Sequence, residues 1–252
     1  MKNTIVFGGT KGIGLAIAQR MTAHGQVMVA GRSAPAVAGA YRYTACDVRD
    51  PQQVRQVLHD ACQQFGTVDL VVNSAGYGHC LALDEISDEA WVEMNRVTVD
   101  GNFFIAKHSY EVFKRQKSGH FIIIGSMASG GGWRMEIGYG TVKGAQAKFA
   151  MHLNDQFTWD RTHGAGDFHC HVVCPGSVYT DFWKAIPQRT VSAEESLAPD
   201  DIARAIEALF QHPTWGWQEL AEHAKRPHQL IAALPPFTAQ PYIIRISHDA
   251  HP

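Results

Sequence analysis

A tyrosine and a lysine lie four positions apart in the segment Tyr139-Gly-Thr-Val-Lys143, and Ser126 precedes the tyrosine by thirteen residues. On a helix, residues four apart share one face, so the phenol and the ammonium are expected to lie close together. A neighbouring ammonium favours the phenolate and lowers the pKa of a tyrosine, which suits it to proton transfer near neutral pH. The Ser126 hydroxyl could hold the oxygen atom that receives the proton. Such pairs also occur on solvated helix surfaces, so other segments are needed to distinguish the two interpretations.

Composition and charge narrow the class of protein. The chain has 252 residues, 45% of them hydrophobic, with 22 Lys and Arg against 24 Asp and Glu, which is typical of one globular enzyme domain spanning residues 1–252. The small net charge does not favour a nucleic-acid partner, and no apolar run is long enough to span a membrane. Residues 1–3 lead directly into an apolar segment, and the five cysteines show no C-x-x-C spacing. We therefore expect no signal peptide, no disulfides and a cytoplasmic location.

The histidines are numerous but scattered. Fourteen are present, and none of them form a spacing typical of metal ligands, such as H-E-x-x-H. We therefore predict no metal site and expect the histidines to lie on the surface.

A glycine-rich turn follows the first predicted strand, residues 3–7. Gly8, Gly12 and Gly14 have the spacing G-x-x-x-G-x-G, and a helical pattern starts at Leu15. A strand, a glycine turn and a helix in this order place backbone N–H groups and a helix N-terminus beside a phosphate. A plain turn between a strand and a helix is the alternative interpretation.

The end of the second predicted strand, residues 26–30, bears on the choice of dinucleotide. The strand is followed by Gly31-Arg32-Ser33, with no acidic residue. An acid at this point binds the ribose hydroxyls of NAD, whereas an arginine accepts the 2′-phosphate of NADP. Arg32, together with Lys11 in the glycine turn, therefore predicts NADP(H), unless Arg32 is an ordinary exposed loop residue.

Strands and helices alternate along the rest of the chain. Because the strands are nearly continuous apolar runs, they predict a parallel sheet with helices on both faces, an α/β doubly wound fold of the Rossmann type. Residues 34–40 are too short for a full crossover helix, and residues 181–198 are predicted to form a lid. The remaining predicted strands cover residues 41–45, 68–72, 121–124, 168–173 and 242–246, and the predicted helices cover 51–65, 91–117 with a break near Gly101, 144–163 and 198–211.

Taken together, these motifs resemble the short-chain dehydrogenase/reductase family over roughly residues 3–211. They occur in the order and at the spacings of that family, and the ordered set is far more specific than any one motif. The motifs are Gly8-x-x-x-Gly12-x-Gly14, Asp47-Val48, Asn73-x-Ala75-Gly76, Ser126, Tyr139-x-x-x-Lys143, and Pro175-Gly176 with Thr180.

The resemblance implies an NADPH-dependent oxidoreductase that reduces a ketone or an aldehyde, or oxidises the alcohol. Tyr139 would be the general acid or base, Lys143 would lower its pKa and hold the nicotinamide ribose, and Ser126 would bind the substrate oxygen. A homodimer or homotetramer is also implied. The implied cofactor-binding residues are Gly8, Thr10, Lys11, Gly12, Ile13, Gly14, Gly31, Arg32, Ser33, Asp47, Val48, Asn73, Ala75, Gly76, Tyr139, Lys143, Pro175, Gly176, Val178 and Thr180.

The chain departs from the family pattern at three places. Thr98 stands where the family usually has an asparagine, which supports a water that links the lysine to solvent. The crossover after Arg32 is short, and the C-terminal tail lacks the usual glycine-ending segment. An asparagine at position 98 is predicted to restore the usual proton relay; alternatively, Thr98 only packs the helix.

The sequence leaves two questions open, the alternative function and the class of substrate. A protein on this fold that senses NADP(H) without turnover is the alternative function, although the intact Ser126, Tyr139 and Lys143 argue against it. Aromatic and apolar residues flank the expected pocket and indicate an apolar or aromatic substrate, unless they only pack the lid. They are Trp133, Met135, Tyr179, Phe182 and Trp183.

Overall fold

The computed structural model describes residues 1–185, 191–215 and 243–246. Seven strands in this part of the chain form one sheet, and all neighbouring strands are parallel. In chain order they are β1 (Thr4–Phe7), β2 (Val27–Gly31), β3 (Arg42–Ala45), β4 (Leu70–Asn73), β5 (Ser118–Ile124), β6 (Asp167–Pro175) and β7 (Ile243–Ile246). Their order in space is β3-β2-β1-β4-β5-β6-β7, so the first strand of the chain lies inside the sheet between β2 and β4.

Helices cover both faces of this sheet. They are α1 (Gly12–Met21), α2 (Pro51–Phe65), α3 (Asp88–Asn95), α4 (Gly101–Gln116), α5 (Ile137–Thr162) and α6 (Pro199–Gln211). One apolar core joins the sheet to α1 and α6, and a second joins the opposite face to α2, α4 and α5. The predicted doubly wound α/β fold of the Rossmann type is confirmed. Among the described residues, no helix has the length and apolar character needed to cross a bilayer.

Local signals account for several of these element boundaries. The Asp50 side chain accepts a hydrogen bond from the Gln52 N–H, and Pro51 occupies the first position of α2, where a proline costs no hydrogen bond. Ser87 caps α3 in the same way by accepting from the Ala90 N–H. Both caps are local signals that lie within three residues of the helix start.

Three segments differ from the prediction or lie partly outside the described residues. The break expected near Gly101 is a π-helical turn, Arg96–Asp100, which joins α3 to α4. Of the predicted lid, Asp181–Ala185 forms a 3₁₀ turn, while residues 186–190 lie outside the described part. The C-terminal tail departs from the family pattern in its sequence. Its residues 216–242 and 247–252 also lie outside the described part of the chain.

The expectation of surface histidines is wrong for a cluster on β5 and β6. The parallel register pairs His120 with His169, and His171 lies on the same face of the sheet. His120 Nε2 is 2.8 Å from His171 Nδ1, and His171 Nε2 is 3.0 Å from the Trp215 carbonyl oxygen. His120 and His171 are both buried. Their contact was not predicted, because the two histidines lie on neighbouring strands and the sequence does not show how those strands pair.

This buried pair is expected to make the fold sensitive to acid. Burial lowers the pKa of His171 to about 4, although the hydrogen bond to the Trp215 carbonyl acts in the opposite direction. Burial also lowers the pKa of His120, and the neighbouring histidines and Lys2 add to that effect. Between about pH 6.5 and pH 4 the unfolded chain binds more protons than the folded chain, so stability falls as the pH falls. His171 alone should cost about 2 kcal/mol between pH 7 and pH 5.

Urea unfolding at the two pH values measures this loss. The double variant His120→Leu/His171→Leu is expected to lose most of the dependence, because leucines carry no titratable group into the core. An equal fall in the unfolding free energy of both proteins would contradict the assignment.

Candidate functional site

One cleft of about 580 Å³ opens at the carboxyl edge of the sheet. In parallel α/β sheets, ligands bind at this edge, where the loops after neighbouring strands diverge to opposite faces. The segments after β1 to β6 line this cleft, because parallel strands all end at the same edge of the sheet. The lining segments are residues 8 and 10–13, 31–33, 46–48, 74–78 and 80, 124–128, 175–178 and 180–183, with single residues from the helices.

Every residue predicted for the site lines this cleft except Gly14 and Asn73. Gly14 lies behind the glycine turn, where a Cβ atom would stand 2.2 Å from the Gly8 carbonyl oxygen. Asn73 is buried; its Oδ1 accepts from the Ala75 N–H at 3.1 Å, and its Nδ2 donates to Asn102 Oδ1 at 2.8 Å. These two residues therefore shape the walls of the cleft from behind.

The glycine turn has the geometry that a dinucleotide needs. Gly8 has a φ of +71°, and a Cβ there would lie 2.6 Å from the Ala75 nitrogen, so a side chain is excluded on two grounds. Gly12 has a φ of +54°, and a Cβ there would lie 3.5 Å from Thr180 Cγ2 across the cleft. No side chain caps the N-terminus of α1 at Lys11. These backbone N–H groups and the positive end of the helix fit a pyrophosphate.

The charges beside the glycine turn favour an additional phosphate. Arg32 and Ser33 are exposed at the mouth of the cleft, and Lys11 lines it. The nearby acid, Asp47, accepts hydrogen bonds from Arg49, whose guanidinium holds the pKa of that carboxyl below its usual value. Asp47 therefore has its own cationic partner, and Arg32 faces the cleft.

Ser126, Tyr139 and Lys143 come together at the end of β5. Ser126 follows that strand, and its Oγ accepts from the Ala128 N–H at 3.1 Å. The Tyr139 ring packs against Phe182, with ring centroids 5.7 Å apart, and against Gly78, where a Cβ would stand 2.2 Å from the ring. Lys143 is buried, and its Nζ lies 5.9 Å from the centroid of the Tyr139 ring.

The prediction that the pKa of Tyr139 is lowered is wrong for the protein without a bound ligand. Burial raises the pKa of the phenol, the Glu136 charge acts in the same direction, and a hydrogen bond with Ser126 opposes them. The Lys143 ammonium does not point at the phenol: Nζ donates to the Ile124 carbonyl oxygen at 3.0 Å and to Gln146 Oε1 at 2.9 Å. Burial lowers the pKa of Lys143 to about 8. Burial thus favours the protonated form of Tyr139 and weakens the hold of Lys143 on its proton.

Three residues of this site were not predicted from the sequence. Gln146 contacts Lys143 from one helical turn away, and Glu136 lines the cleft one turn before Tyr139. Their i, i+3 spacing from the two identified residues could have revealed both. Cys80 also lines the cleft and is buried. No motif in the sequence marks this thiol, which the loop after β4 brings to the cleft.

The flanking aromatic residues fall into two groups. Trp133, Phe182 and Trp183 line the cleft, and Trp183 Nε1 donates to the Val178 carbonyl oxygen at 2.8 Å. Met135 and Tyr179, which were also predicted to flank the pocket, do not line the cleft, and Tyr179 is exposed. Three of the five residues predicted to flank the pocket therefore line the cleft, together with the aromatic rings of Tyr77 and Tyr139.

Thr98 holds the loop that packs against Tyr139. It is fully buried in the π-helical turn, and its hydroxyl donates to the Tyr77 carbonyl oxygen at 3.2 Å. The Tyr77 N–H also approaches Thr98 Oγ1, at 3.4 Å. These contacts favour the second interpretation, in which the threonine has a packing role.

Thr98→Asn is therefore expected to lower stability without raising turnover. The larger amide overfills a closed site, which typically costs about 1–3 kcal/mol. Melting curves and steady-state rates with a solvent isotope effect measure the two quantities. A higher turnover with an altered isotope effect would instead support a restored proton relay.

Comparison with known proteins places this geometry in context. The family model described as short chain dehydrogenase matches residues 2–190. The 3-oxoacyl-(acyl-carrier-protein) reductase MabA of Mycobacterium bovis is 28% identical over 75% of this chain and 74% of its own length. The 2,3-dihydro-2,3-dihydroxybenzoate dehydrogenase of Escherichia coli is 30% identical over 73% of both. An alcohol dehydrogenase of Thermococcus sibiricus, solved with 5-hydroxy-NADP, superposes with a TM-score of 0.70 at 24% identity, over 84% of this chain and 92% of that one.

Proposed function

The chain belongs to the short-chain dehydrogenase/reductase family, and from that premise we propose that this oxidoreductase reduces a ketone or an aldehyde to an alcohol with NADPH, or catalyses the reverse reaction. One observation carries the proposal: the half-buried phenol of Tyr139 stands beside Ser126 in the cleft whose other end is the glycine turn. A proton donor and a dinucleotide cradle in one cleft are the two requirements of carbonyl reduction by hydride transfer.

The choice of NADP(H) rests on charge. Arg32 and Lys11 place two cations at the mouth of the cleft, where NAD-binding proteins carry an acid. Charge-assisted hydrogen bonds from such groups to a phosphate are strong. A structural neighbour, the archaeal alcohol dehydrogenase, was solved with an NADP derivative, which agrees with this choice.

Each catalytic side chain then has a distinct task. The dinucleotide supplies the hydride when bound. Tyr139 donates its phenolic proton to the carbonyl oxygen as that oxygen gains negative charge, and Ser126 holds the same oxygen by a hydrogen bond. Lys143 stabilises the phenolate that remains and is proposed to hold the nicotinamide ribose. The pKa of Tyr139, raised by burial, keeps the donor protonated until the substrate is in place.

The cleft favours an apolar or aromatic substrate. Trp133, Phe182 and Trp183 form its wall near Tyr139, and Cys80 adds a small apolar surface. Glu136 lines the cleft and acts on the proton donor, and its charge disfavours substrates with a carboxylate beside the carbonyl. The two curated relatives act on different compounds by name, so neither substrate is transferred to this chain.

The assembly and the cellular location are also part of the proposal. We propose a homodimer or homotetramer, and the exposed Phe103 of α4 and Trp159 of α5 supply apolar surface for such contacts. Cys46, Cys62 and Cys170 are free thiols, which fits a reducing compartment such as the cytoplasm.

A panel of ketones and aldehydes, monitored by the absorbance of NADPH, tests the proposal. We expect turnover with apolar or aromatic carbonyl compounds and weaker turnover with 2-oxo acids. Binding of NADPH without turnover of any compound in the panel, in either direction, would favour the alternative, a protein that senses NADP(H).

A further inference from the structure

Gln146 is a buried polar residue that the proposed mechanism leaves without a task. It lies on α5 three residues after Lys143, and only 1% of its surface is exposed. Its Oε1 accepts a hydrogen bond from Lys143 Nζ at 2.9 Å. Because an ammonium can only donate, the amide must turn its oxygen and not its nitrogen toward Lys143.

The other end of the same amide is unsatisfied. Within the described residues, Gln146 Nε2 has no hydrogen-bond acceptor although it is buried. An unpaired buried donor destabilises a fold, and an aliphatic side chain of similar size would avoid that cost. A glutamine at this position is therefore a poor choice for packing alone, and its contact with Lys143 needs another explanation.

The environment of Lys143 supplies that explanation. The ammonium is held by one backbone carbonyl, that of Ile124, and by the Gln146 side chain. A Cβ at Gly76 would lie 3.3 Å from Nζ, so the loop after β4 closes the third side. Gln146 is the only side chain among the described residues whose hydrogen bond to Nζ is seen, and it carries no charge of its own.

We propose that Gln146 is a positioning residue for Lys143, which orients the ammonium in the cleft and stabilises its charged form without neutralising it. The inference rests on the proposed function for its kinetic consequences. Burial lowers the pKa of Lys143, and the Cys174 thiol on β6 acts weakly in the opposite direction. The other titratable group beside Lys143 is Tyr139 on α5, and Cys80 and Glu136 act on that phenol. With the Ile124 carbonyl, Gln146 is thus one of two hydrogen-bond acceptors that oppose the effect of burial and favour the charged form of Lys143.

Two substitutions should move the titration of Lys143 in opposite directions. Gln146→Leu removes the acceptor, so the charged form loses a hydrogen bond and the pKa should fall by about one pH unit. Gln146→Glu replaces the neutral oxygen by a carboxylate, so the pKa should rise by at least as much. Gln156→Leu is the matched control, because Gln156 lies on the same helix, is exposed, and bonds to Asp160.

The experiment measures kcat/KM for carbonyl reduction and the Kd of NADPH, each from pH 6 to pH 10, for the wild type and the three variants. We expect both profiles to shift to lower pH in Gln146→Leu, to higher pH in Gln146→Glu, and to coincide with the wild type in Gln156→Leu. At pH 8, Gln146→Leu should lose about fivefold in kcat/KM, because a fall of about one pH unit from a pKa of about 8 leaves about a tenth of Lys143 charged instead of about half. Profiles that stay at the wild-type position in both Gln146 variants would overturn the inference, even if the melting temperature changes.

The two readouts separate this inference from the proposed function. If the wild type binds NADPH but reduces no compound in the panel, the proposed function fails, and the binding profiles still report the titration of Lys143. If the wild type turns over and both sets of profiles remain unshifted, the proposed function stands and the role of Gln146 is refuted.

Discussion

Tyr139→Phe is expected to lower kcat for carbonyl reduction by about 10²–10⁴-fold, the usual contribution of general acid catalysis, while leaving NADPH affinity near the wild-type value. Phenylalanine keeps the contacts of the ring with Phe182 and Gly78 and removes only the proton. Because the phenol is held protonated by burial, the loss should be equally deep at pH 6 and at pH 8.

Stopped-flow measurement of hydride transfer, together with NADPH fluorescence titration, distinguishes a chemical defect from a binding defect. Tyr179→Phe is the matched control, because Tyr179 is exposed and does not line the cleft. Turnover of Tyr139→Phe within a few fold of the control would remove Tyr139 from the role of proton donor.

Arg32→Asp is expected to reverse the preference between the two dinucleotides. In the wild type, NADPH should bind about 10–100-fold more tightly than NADH, because hydrogen bonds to a charged phosphate each contribute about 1.5–3 kcal/mol. The aspartate removes one cation and introduces the acid that ribose hydroxyls prefer, so NADPH affinity should fall and NADH affinity should rise.

Isothermal titration with both dinucleotides gives the two Kd values directly. Arg42→Asp makes the same change of charge at an exposed position of β3 that lies outside the cleft, and it should leave the ratio of the two Kd values almost unchanged. Equal Kd values for NADPH and NADH in the wild type would refute the preference itself.

The sequence alone was sufficient for the architecture because its signals are local. The β-branched runs of the strands, the Asp50-Pro51 helix start and the Ser87 cap each act within a few residues. Most of the motifs stand at the carboxyl end of a predicted strand, and parallel strands bring those ends to one edge, so their gathering at one cleft could be expected. Gly14 and Asn73, which the resemblance assigned to cofactor binding, do not line that cleft.

The pKa values of the site residues could not be predicted from such local signals. The prediction of a lowered Tyr139 pKa rested only on Lys143, four residues away on the same helix. The direction of the pKa shift is instead set by burial, and the residues packed against the ring, Phe182 and Gly78, lie in the loops after β6 and β4. The buried pair His120 and His171 was missed for the same reason, since its geometry depends on the register of β5 against β6. Properties set by contacts between distant segments require the tertiary structure.

The central position of β1 has a consequence for synthesis on the ribosome. The glycine turn is among the first segments translated, yet Thr180, which faces Gly12 across the cleft, follows much later. At about 5–20 residues per second, the two walls of the cleft are separated by on the order of ten seconds or more. A nascent chain arrested before β6 therefore carries the pyrophosphate cradle without its opposing wall. We therefore expect the dinucleotide to stabilise the fold fully only after the chain has extended past Thr180, and until β6 is added the outer edge of β5 stays unpaired.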